Sequence, residues 1–237
     1  MMKHNKILSI HQPNYIPWLG YFIKIFKSDY FVILDVVQYP RGNSFAARNK
    51  IKTSNGVTFL TIPVSIPKGE NGKVQYTDVK FANTKWKRKH LRSIEMNYKK
   101  TKYYDEIFLL YKNVIDSAED FTEMNIELIE QINKYLNIDT KIIRLSELLD
   151  IFGKKTQLII DICNKLNANI YLSGTGGGKD YNNEELLNKN SIKLTYNDFK
   201  FPIYSQLWGN FKSHLSIIDL LFNEGNNSKE IMVRMTK

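Results

Sequence analysis

Residues 6–35, KILSIHQPNYIPWLGYFIKIFKSDYFVILD, decide the fold of this 237-residue chain. Residues 6–11 form a short apolar run, and residues 30–34 form a second one. Between them, residues 19–26 carry apolar side chains at helical spacing. The stretch therefore predicts a strand, a helix and a second strand, and a connection of this kind joins parallel strands of one sheet.

Helices and strands alternate through the rest of the chain. The remaining predicted strands are 57–64, 73–81, 141–145, 169–172 and 192–196, and residues 41–52 are predicted as a polar loop. The remaining predicted helices are 85–97, 107–136, 156–166, 184–188 and 215–222, with a break in the second of them near residues 117–121. This alternation is typical of an α/β fold with a mainly parallel sheet flanked by helices. We predict a single domain over residues 1–237 with a helical insertion at 85–136.

Composition narrows the class of protein. Hydrophobic residues make up 43% of the chain and aromatic residues 13%, which supplies enough apolar surface for a core and excludes a disordered chain. No apolar run approaches the length of a membrane-spanning helix, and the first one is too short for a secretory signal, which favours a cytoplasmic protein. The single Cys163 excludes an internal disulfide and a cysteine-based zinc site, and we expect it to be buried and unreactive.

The net charge of +10 belongs to the first half of the chain. Residues 1–104 hold 19 Lys and Arg against 5 Asp and Glu, whereas residues 105–150 hold 4 against 11. Such an excess either keeps a surface soluble or lines a cleft for phosphate groups. Nucleic acid is a third class of partner, but the sequence holds no recognised nucleic-acid module. We expect a small, phosphate-bearing substrate, with no nucleic-acid partner and no membrane insertion.

Polar residues follow the first predicted strand, at the end where open parallel sheets bind ligands. They are His11, Gln12, Asn14 and Tyr15, with Gly20 near the start of the next helix. A histidine in this position can donate to a phosphate or act as an acid or base near neutral pH. The amides add donors and acceptors, and Gly20 lets an anion approach backbone N–H groups of the helix. A structural turn stiffened by two prolines is the alternative.

Further candidates follow the second predicted strand. Asp35 and Gln38 come first, and we expect Asp35 to orient an amine or a hydroxyl. The polar loop then carries three cations and two amides, which suit a phosphate or a carboxylate: Arg41, Asn43, Arg48, Asn49 and Lys50. Arg48 and Lys50 are the expected anion clamp, and an exposed basic loop without a ligand is the alternative.

The segment 173–181, SGTGGGKDY, follows another predicted strand. The hydroxyls of Ser173 and Thr175 and the successive glycines can surround an anion with donors, and Gly176 lets the backbone come close to it. The segment is not a Walker loop, because Asp180 follows its lysine, and a flexible turn is the alternative. If the strands are parallel, this segment and His11 lie at one edge of the sheet.

The runs SIHQPNYIPWLGYF at 9–22, FVILDVVQY at 31–39 and RNKIK at 48–52 resemble the WbqC-like protein family. The runs YLSGTGG at 171–177 and LSIIDLLFNEG at 215–225 also resemble its signature, so the resemblance covers nearly the whole chain. It implies an enzyme of surface-polysaccharide biosynthesis, of the O-antigen type, that attaches glycine or another acyl group to an amino sugar. The sequence departs from the family pattern at Val36, where a second aspartate is expected, and this departure argues against a metal site.

The first strand, helix and strand are also similar to a degenerate nucleotidylyltransferase N-terminus, with PWLGY at 17–21 in place of an HxGH-type motif. This similarity implies a nucleotidylyltransferase-like core that binds ATP or a sugar nucleotide. Two alternatives to the acyltransferase follow: a nucleotidylyltransferase acting on a sugar phosphate, and a non-catalytic protein that binds a sugar nucleotide. ATP-dependent turnover separates the enzymes from the binding protein. Release of pyrophosphate with a nucleotide-containing product identifies the nucleotidylyltransferase.

Overall fold

The structure is a computed structural model that describes residues 5–40, 42–69, 73–151, 153–176 and 182–235. Two parts of the candidate site, Arg41 and residues 177–181, lie outside the described residues. The chain forms two compact units. Unit 1 consists of residues 1–12, 23–35 and 138–199, and unit 2 consists of residues 13–22, 36–137 and 200–237. The single domain with an insertion stays a prediction.

The elements alternate along the chain. The strands are β1 (Ile7–His11), β2 (Tyr30–Ile33), β3 (Arg48–Thr53), β4 (Gly56–Thr61), β5 (Val64–Ser65), β6 (Lys80–Phe81), β7 (Lys141–Arg144), β8 (Ile170–Ser173) and β9 (Lys193–Tyr196). The helices are α1 (Leu19–Phe26), α2 (Lys85–Tyr98), α3 (Tyr104–Ser117), α4 (Phe121–Tyr135), α5 (Thr156–Leu166), α6 (Glu184–Lys189), α7 (Ile217–Glu224) and α8 (Asn227–Met235).

Unit 1 contains a parallel sheet of five strands in the order β7-β2-β1-β8-β9. Counted along the chain, this order is 3-2-1-4-5, which is that of doubly wound α/β folds. The chain leaves β1 in one direction through β2 and β7, and then returns to the other side of β1 through β8 and β9. The predicted α/β fold with a mainly parallel sheet is therefore confirmed, and the nucleotidylyltransferase-like core stays a prediction.

The strands of unit 1 form a sheet because their apolar runs can be buried on both faces. Phe31, Val32 and Ile33 of β2 are fully buried, and so is Leu8 of β1. Continuous apolar strands of this kind are typical of parallel sheets, whose faces are covered by the crossover helices. α5 packs against β8 and carries the buried Cys163, whose thiol pKa burial raises to about 12. This confirms the prediction that Cys163 is buried.

Unit 2 contains two antiparallel pairs of strands, and the first of them, a hairpin, corrects the predicted loop at 41–52. β3 pairs with β4, with Arg48 opposite Thr61 at one end of the hairpin and Thr53 opposite Gly56 at the other. Asn49 and Ile51 are buried, whereas Arg48 and Lys50 on the other face are partly exposed. The loop prediction fails at 48–52 because three basic side chains in five residues conceal the alternation of an edge hairpin. The predicted strand over 57–64 is divided between β4 and β5.

The helices of unit 2 follow the predictions more closely. The region 107–136 forms two helices, and Asp120 caps the N-terminus of α4, where its carboxylate accepts hydrogen bonds from the N–H groups of Thr122 and Glu123. The predicted last helix does not end the fold at Gly225, because α8 follows it directly. Gly225 has a φ of +53°, so it turns the chain between two helices. The predicted strand at 73–81 is reduced to β6, since residues 76–78 form a 3-10 turn.

Candidate functional site

β1 and β8 separate before they reach the carboxyl edge of the sheet in unit 1. The two strands pair only where Ile7 lies opposite Ile170 and Leu8 lies opposite Tyr171, although β1 continues to His11 and β8 to Ser173. This pair of strands is also the place where the strand order reverses. In doubly wound sheets, ligands bind in the crevice beyond the carboxyl ends at that position. We call the parted ends of β1 and β8 the switch-point crevice.

Several predicted site residues lie at this edge. Because β1, β2 and β8 are parallel, their carboxyl ends share one edge of the sheet. The candidates of unit 1 at or directly after these ends are His11, Gln12, Asp35, Ser173, Thr175 and Gly176. The prediction that His11 and the segment beginning at Ser173 lie at one edge is confirmed for the described residues of that segment.

The His11 ring is neutral at physiological pH. Its Nδ1 lies 3.2 Å from the carbonyl oxygen of Gln12. A carbonyl oxygen only accepts, so in this contact Nδ1 carries the proton and Nε2 is the acceptor nitrogen. Burial, together with the nearby charge of Lys24, lowers the pKa of His11 to about 3. His11 is therefore suited to accept a hydrogen bond from an amine or a hydroxyl, and is a poor cationic donor to phosphate.

Lys24 of α1 brings a second titratable group to the switch-point crevice. Its residue is 4% exposed, and Nζ donates to the carbonyl oxygen of Ile10 at 2.7 Å. The carbonyl oxygen of His11 accepts from the N–H of Leu34, which directly follows β2, so it points toward β2. Successive carbonyls of a strand point to opposite sides, so the carbonyl of Ile10 points toward β8. The ladder to β8 has already ended there. Burial lowers the pKa of Lys24 to about 7.

Two buried serines connect the elements around the switch-point crevice. The Oγ of Ser9 lies 2.5 Å from the Oγ of Ser28 and 3.2 Å from the carbonyl oxygen of Leu172. Ser28 Oγ also donates to the carbonyl oxygen of Lys24 at 2.8 Å. These hydroxyls join β1 to β8 and to the end of α1, so side chains replace the backbone ladder where the two strands separate.

The Asp35 carboxylate is held by one residue beyond β7. It accepts hydrogen bonds from the N–H of Ser146 at 3.0 Å and from its Oγ at 2.5 Å, and the residue is 5% exposed. These contacts tie the ends of β2 and β7 together. A role for Asp35 in orienting a substrate stays a prediction, since both of its oxygens already have structural partners.

The loop after β8 begins buried and then reaches the surface. Ser173 is fully buried, and its Oγ donates to the carbonyl oxygen of Gly174 and accepts from Nδ2 of Asn182 at 2.9 Å. Thr175 and Gly176 are exposed. A Cβ atom on Gly174 or Gly176 would meet open space, and neither residue has a left-handed φ. The backbone conformation alone therefore does not require glycine at these two positions. The close approach of a ligand is another reason for a glycine.

Tyr15 belongs to the core of unit 2. It is fully buried, and its hydroxyl contacts both Tyr111 Oη and His90 Nδ1, the latter at 2.8 Å. His90 Nε2 lies 3.1 Å from the carbonyl oxygen of Thr61, so Nε2 donates and Nδ1 accepts from Tyr15. Burial lowers the pKa of His90 to about 4, so the ring stays neutral. A substrate-binding role for Tyr15 stays a prediction, and its contacts are those of a core residue.

The neighbouring backbone is strained. Ile16 has a φ of +35°, which is rare for a β-branched residue. Its carbonyl oxygen accepts from Asn49 Nδ2 at 2.8 Å and from Ser216 Oγ at 2.7 Å. Asn49 Nδ2 also reaches the carbonyl oxygen of Tyr15 at 3.3 Å. Asn49, a predicted anion ligand, therefore holds a strained loop, and strain of this kind is common beside functional sites.

The other candidates of unit 2 differ in exposure. Arg48 and Lys50 lie on the outer face of β3, where the guanidinium carbon of Arg48 and Nζ of Lys50 are 4.4 and 5.5 Å from the centroid of the Phe59 ring. Gly20 is the buried second residue of α1, and Gln38 is exposed and pairs with Gln75. Asn14 is 4% exposed, and no described residue hydrogen-bonds its side chain. An anion clamp at Arg48 and Lys50 stays a prediction.

Sequence reasoning missed Lys24. A signal was present, because Lys24 is the one charged residue in the apolar helix LGYFIKIF, between two buried strands. Such a lysine cannot reach solvent on any face of the helix without exposing its neighbours. Within the described ranges, no three His, Cys, Asp or Glu residues gather closely enough to hold a metal ion. None of the helices in those ranges is both long enough and apolar enough to cross a membrane.

Comparison with known proteins identifies the family. The model of the WbqC-like protein family matches residues 12–231. The uncharacterized protein Rv1507c of Mycobacterium tuberculosis is 32% identical over 230 residues, which are 96% of this chain and 97% of that protein. No solved structure matches the chain significantly. On the extent of these two matches, the chain belongs to the WbqC-like protein family.

Proposed function

We propose that this chain is an enzyme of surface-polysaccharide biosynthesis, of the O-antigen type, that transfers a glycyl or other acyl group to the amino group of a nucleotide-linked sugar. The observation that carries the proposal is the switch-point crevice. It lies at the reversal of a doubly wound sheet, where such sheets bind ligands, and a neutral histidine and a buried lysine are beside it. The family resemblance supplies the class of reaction.

Amide formation needs an amine whose lone pair points at an activated acyl carbon. Nε2 of His11 is the acceptor nitrogen of a neutral ring, so it suits an N–H of the sugar amine and would orient that nitrogen for attack. The attack forms the C–N bond, the leaving group of the acyl donor departs, and the amine loses one proton. With a pKa of about 3, His11 acts mainly by orientation, and solvent or the leaving group finally takes that proton.

ATP or a sugar nucleotide would place its phosphates on the loop after β8. The exposed Thr175 hydroxyl and the open space beside Gly174 and Gly176 fit a phosphate group, because backbone N–H groups and a hydroxyl can then surround it. Gly176→Val should therefore weaken nucleotide binding while leaving the thermal unfolding midpoint nearly unchanged. An equal loss of both properties would mean that the loop is structural.

The direct test is a turnover assay of the full chain with amino sugar nucleotides, glycine and ATP, read by mass spectrometry. The proposal expects a sugar product that is heavier by one acyl group. A nucleotide-containing product with pyrophosphate would instead identify a nucleotidylyltransferase. Binding of the sugar nucleotide without any turnover would identify a binding protein.

His11→Ala tests the residue assigned to the amine. We expect turnover to fall by roughly a hundredfold, with the fold intact, which is the scale of a lost positioning contact at a reacting atom. His214→Ala is the matched control, since His214 is exposed and contacts the hydroxyl of Ser213. Full activity in His11→Ala, or an unfolded variant, would remove His11 from the mechanism.

A further inference from the structure

We infer that Lys24 binds a carboxylate group of the substrate, inserted between the parted ends of β1 and β8. This inference deepens the proposed function and rests on it for the class of substrate, an acyl donor or an acidic sugar. The binding site itself follows from the contacts of Lys24.

The first observation is a buried cation without a counter-ion. Lys24 is 4% exposed, and within the described part of the chain no carboxylate forms an ion pair with it. An ammonium group has three N–H donors, and the carbonyl oxygen of Ile10 takes one of them. Nζ also lies 5.9 Å from the centroid of the Phe31 ring, which carries no charge. Lysines with this degree of burial normally have an ionic partner.

The second observation is the position of this ammonium group. The side chains of a helix point back toward its N-terminus, so Lys24 extends from α1 toward the carboxyl end of β1. Its Nζ donates to the carbonyl oxygen of Ile10. This carbonyl faces β8 but has no partner on that strand, because the backbone pairing of β1 with β8 ends at Leu8. A substrate that enters the switch-point crevice beyond Leu8 and Tyr171 therefore meets this cation.

Charge matching favours a carboxylate over a phosphate. Among the described residues, the titratable group that interacts with the charge of Lys24 is the neutral His11 ring, so the local positive charge is one unit. A carboxylate neutralises it, whereas a phosphate dianion would leave a net negative charge in a buried place. Phosphate sites in proteins also favour the planar fork of arginine, which is absent from these contacts.

The test uses thermal unfolding of the full chain at a pH below 7, where Lys24 is charged. Sodium acetate, sodium phosphate and sodium chloride are compared at equal ionic strength. Acetate at about ten times its Kd should raise the unfolding midpoint by about 2 °C or more relative to chloride. Lys24→Met should lose this response, because Met fills the same space without a charge.

Lys27→Met is the matched control. Lys27 directly follows α1, is half-buried, and donates to the carbonyl oxygen of Asp198 at 3.2 Å. It should keep the full response to acetate. An equal response in wild type and Lys24→Met would overturn the inference, and so would a Lys24-dependent response to phosphate but not to acetate.

Two further measurements complete the test: the Nζ resonance of Lys24, and a comparison of glycine with glucuronate. If Lys24→Met does not fold, the Nζ resonance of Lys24 in the wild type must shift when acetate is added, and an unchanged resonance overturns the inference. A response to glycine but not glucuronate assigns the carboxylate to the acyl donor, and the reverse assigns it to the sugar. Neither measurement uses turnover, so the carboxylate site and the proposed transfer are tested independently. Binding of acetate at Lys24 without any transfer would support the site alone, and transfer without a response at Lys24 would support the proposed function alone.

Discussion

Unit 1 and unit 2 each bury a lysine, and the two ammonium groups differ in the number of hydrogen-bond acceptors around them. In unit 2, Lys52 is 2% exposed, and its Nζ donates to the carbonyl oxygens of Asn210 at 2.8 Å and Gly209 at 3.3 Å, and to Oε1 of Gln206 at 3.1 Å. In unit 1, Lys24 is 4% exposed and donates to a single carbonyl. One ammonium has all three of its donors used, and the other does not.

Lys52 also has a buried carboxylate nearby. Asp219 is fully buried and accepts from the hydroxyls of Tyr98 and Tyr204 and from Nε2 of Gln206, at 2.7, 2.8 and 2.7 Å. Burial raises the pKa of Asp219, and the three donors and Lys52 oppose that shift. A buried polar network with all partners present specifies a structure, whereas a buried ammonium group with unused donors requires an explanation, of which a ligand is one. The comparison therefore sets an ammonium group whose donors are all used, in unit 2, against one with unused donors at the ligand site that we propose in unit 1.

The largest expected effect is the pH dependence of stability that Lys24 causes. Its pKa is about 7 in the folded chain against 10.5 when unfolded, so between these values the unfolded chain binds more protons. The free energy of unfolding should then rise with pH from about 7 upward, by roughly 5 kcal/mol in total, and Lys24→Met should lack this rise. Urea unfolding of both proteins across this range measures it. Parallel pH profiles would show that Lys24 is solvated.

The next effect is the loss of the unit 2 network. Asp219→Asn places an amide donor opposite three existing donors, and we expect it to lower the free energy of unfolding by about 3 kcal/mol. Asp116→Asn is the control, because Asp116 pairs with Lys112 at the surface, and it should change stability by less than about 0.5 kcal/mol. If Asp219→Asn is as mild as its control, the network is not what distinguishes the two lysines.

A smaller effect should come from Ser216, whose Oγ bonds the carbonyl of Ile16 and also accepts from the N–H of Ile218 at the start of α7. Ser216→Ala removes both contacts and should cost about 1–2 kcal/mol in chemical denaturation. Ser213→Ala, at an exposed serine, should be nearly neutral. Equal effects of the two substitutions would mean that the strained loop is held by Asn49 alone.

The smallest effect concerns the exposed cations of β3. The double variant Arg48→Ala with Lys50→Ala should weaken sugar-nucleotide binding severalfold, and the difference should shrink with added salt because exposed charges are screened. The contribution of Lys24 to carboxylate binding should change little with salt, since its charge is buried. Calorimetric titration at two ionic strengths distinguishes the two kinds of cation. Identical affinities of the variant and the wild type would exclude the β3 face from the site.

The core of unit 1 could be predicted from local pattern. The helix at 19–26 matches α1, the helix at 156–166 matches α5, and the strand at 6–11 differs from β1 by one residue. In these segments the apolar residues alone determine the element, because both faces are buried. β3 could not be predicted in this way, since its sequence RNKIKT is polar and its pairing depends on β4.

The candidate site was only partly predictable. The end of a strand followed by polar residues identified His11 and Ser173, because parallel strands bring such ends to one edge. The contact of Lys24 depends on where β8 leaves β1, and the two strands are more than 160 positions apart in the chain. The tie between Asn49 and Ile16 depends on a backbone conformation that no residue type signals.

The doubly held carbonyl of Ile16 has a consequence for biosynthesis. Its two donors arrive at very different times, since Asn49 is 33 positions further along the chain and Ser216 is 200 positions further. At roughly 5–20 residues per second, a translating ribosome delivers Ser216 about 10–40 s after Ile16. The carbonyl of Ile16 therefore lacks one of its two side-chain donors through most of translation. Ribosome-bound chains that end before Ser216 should be cleaved by protease at residues 13–18, and the released full-length chain should resist.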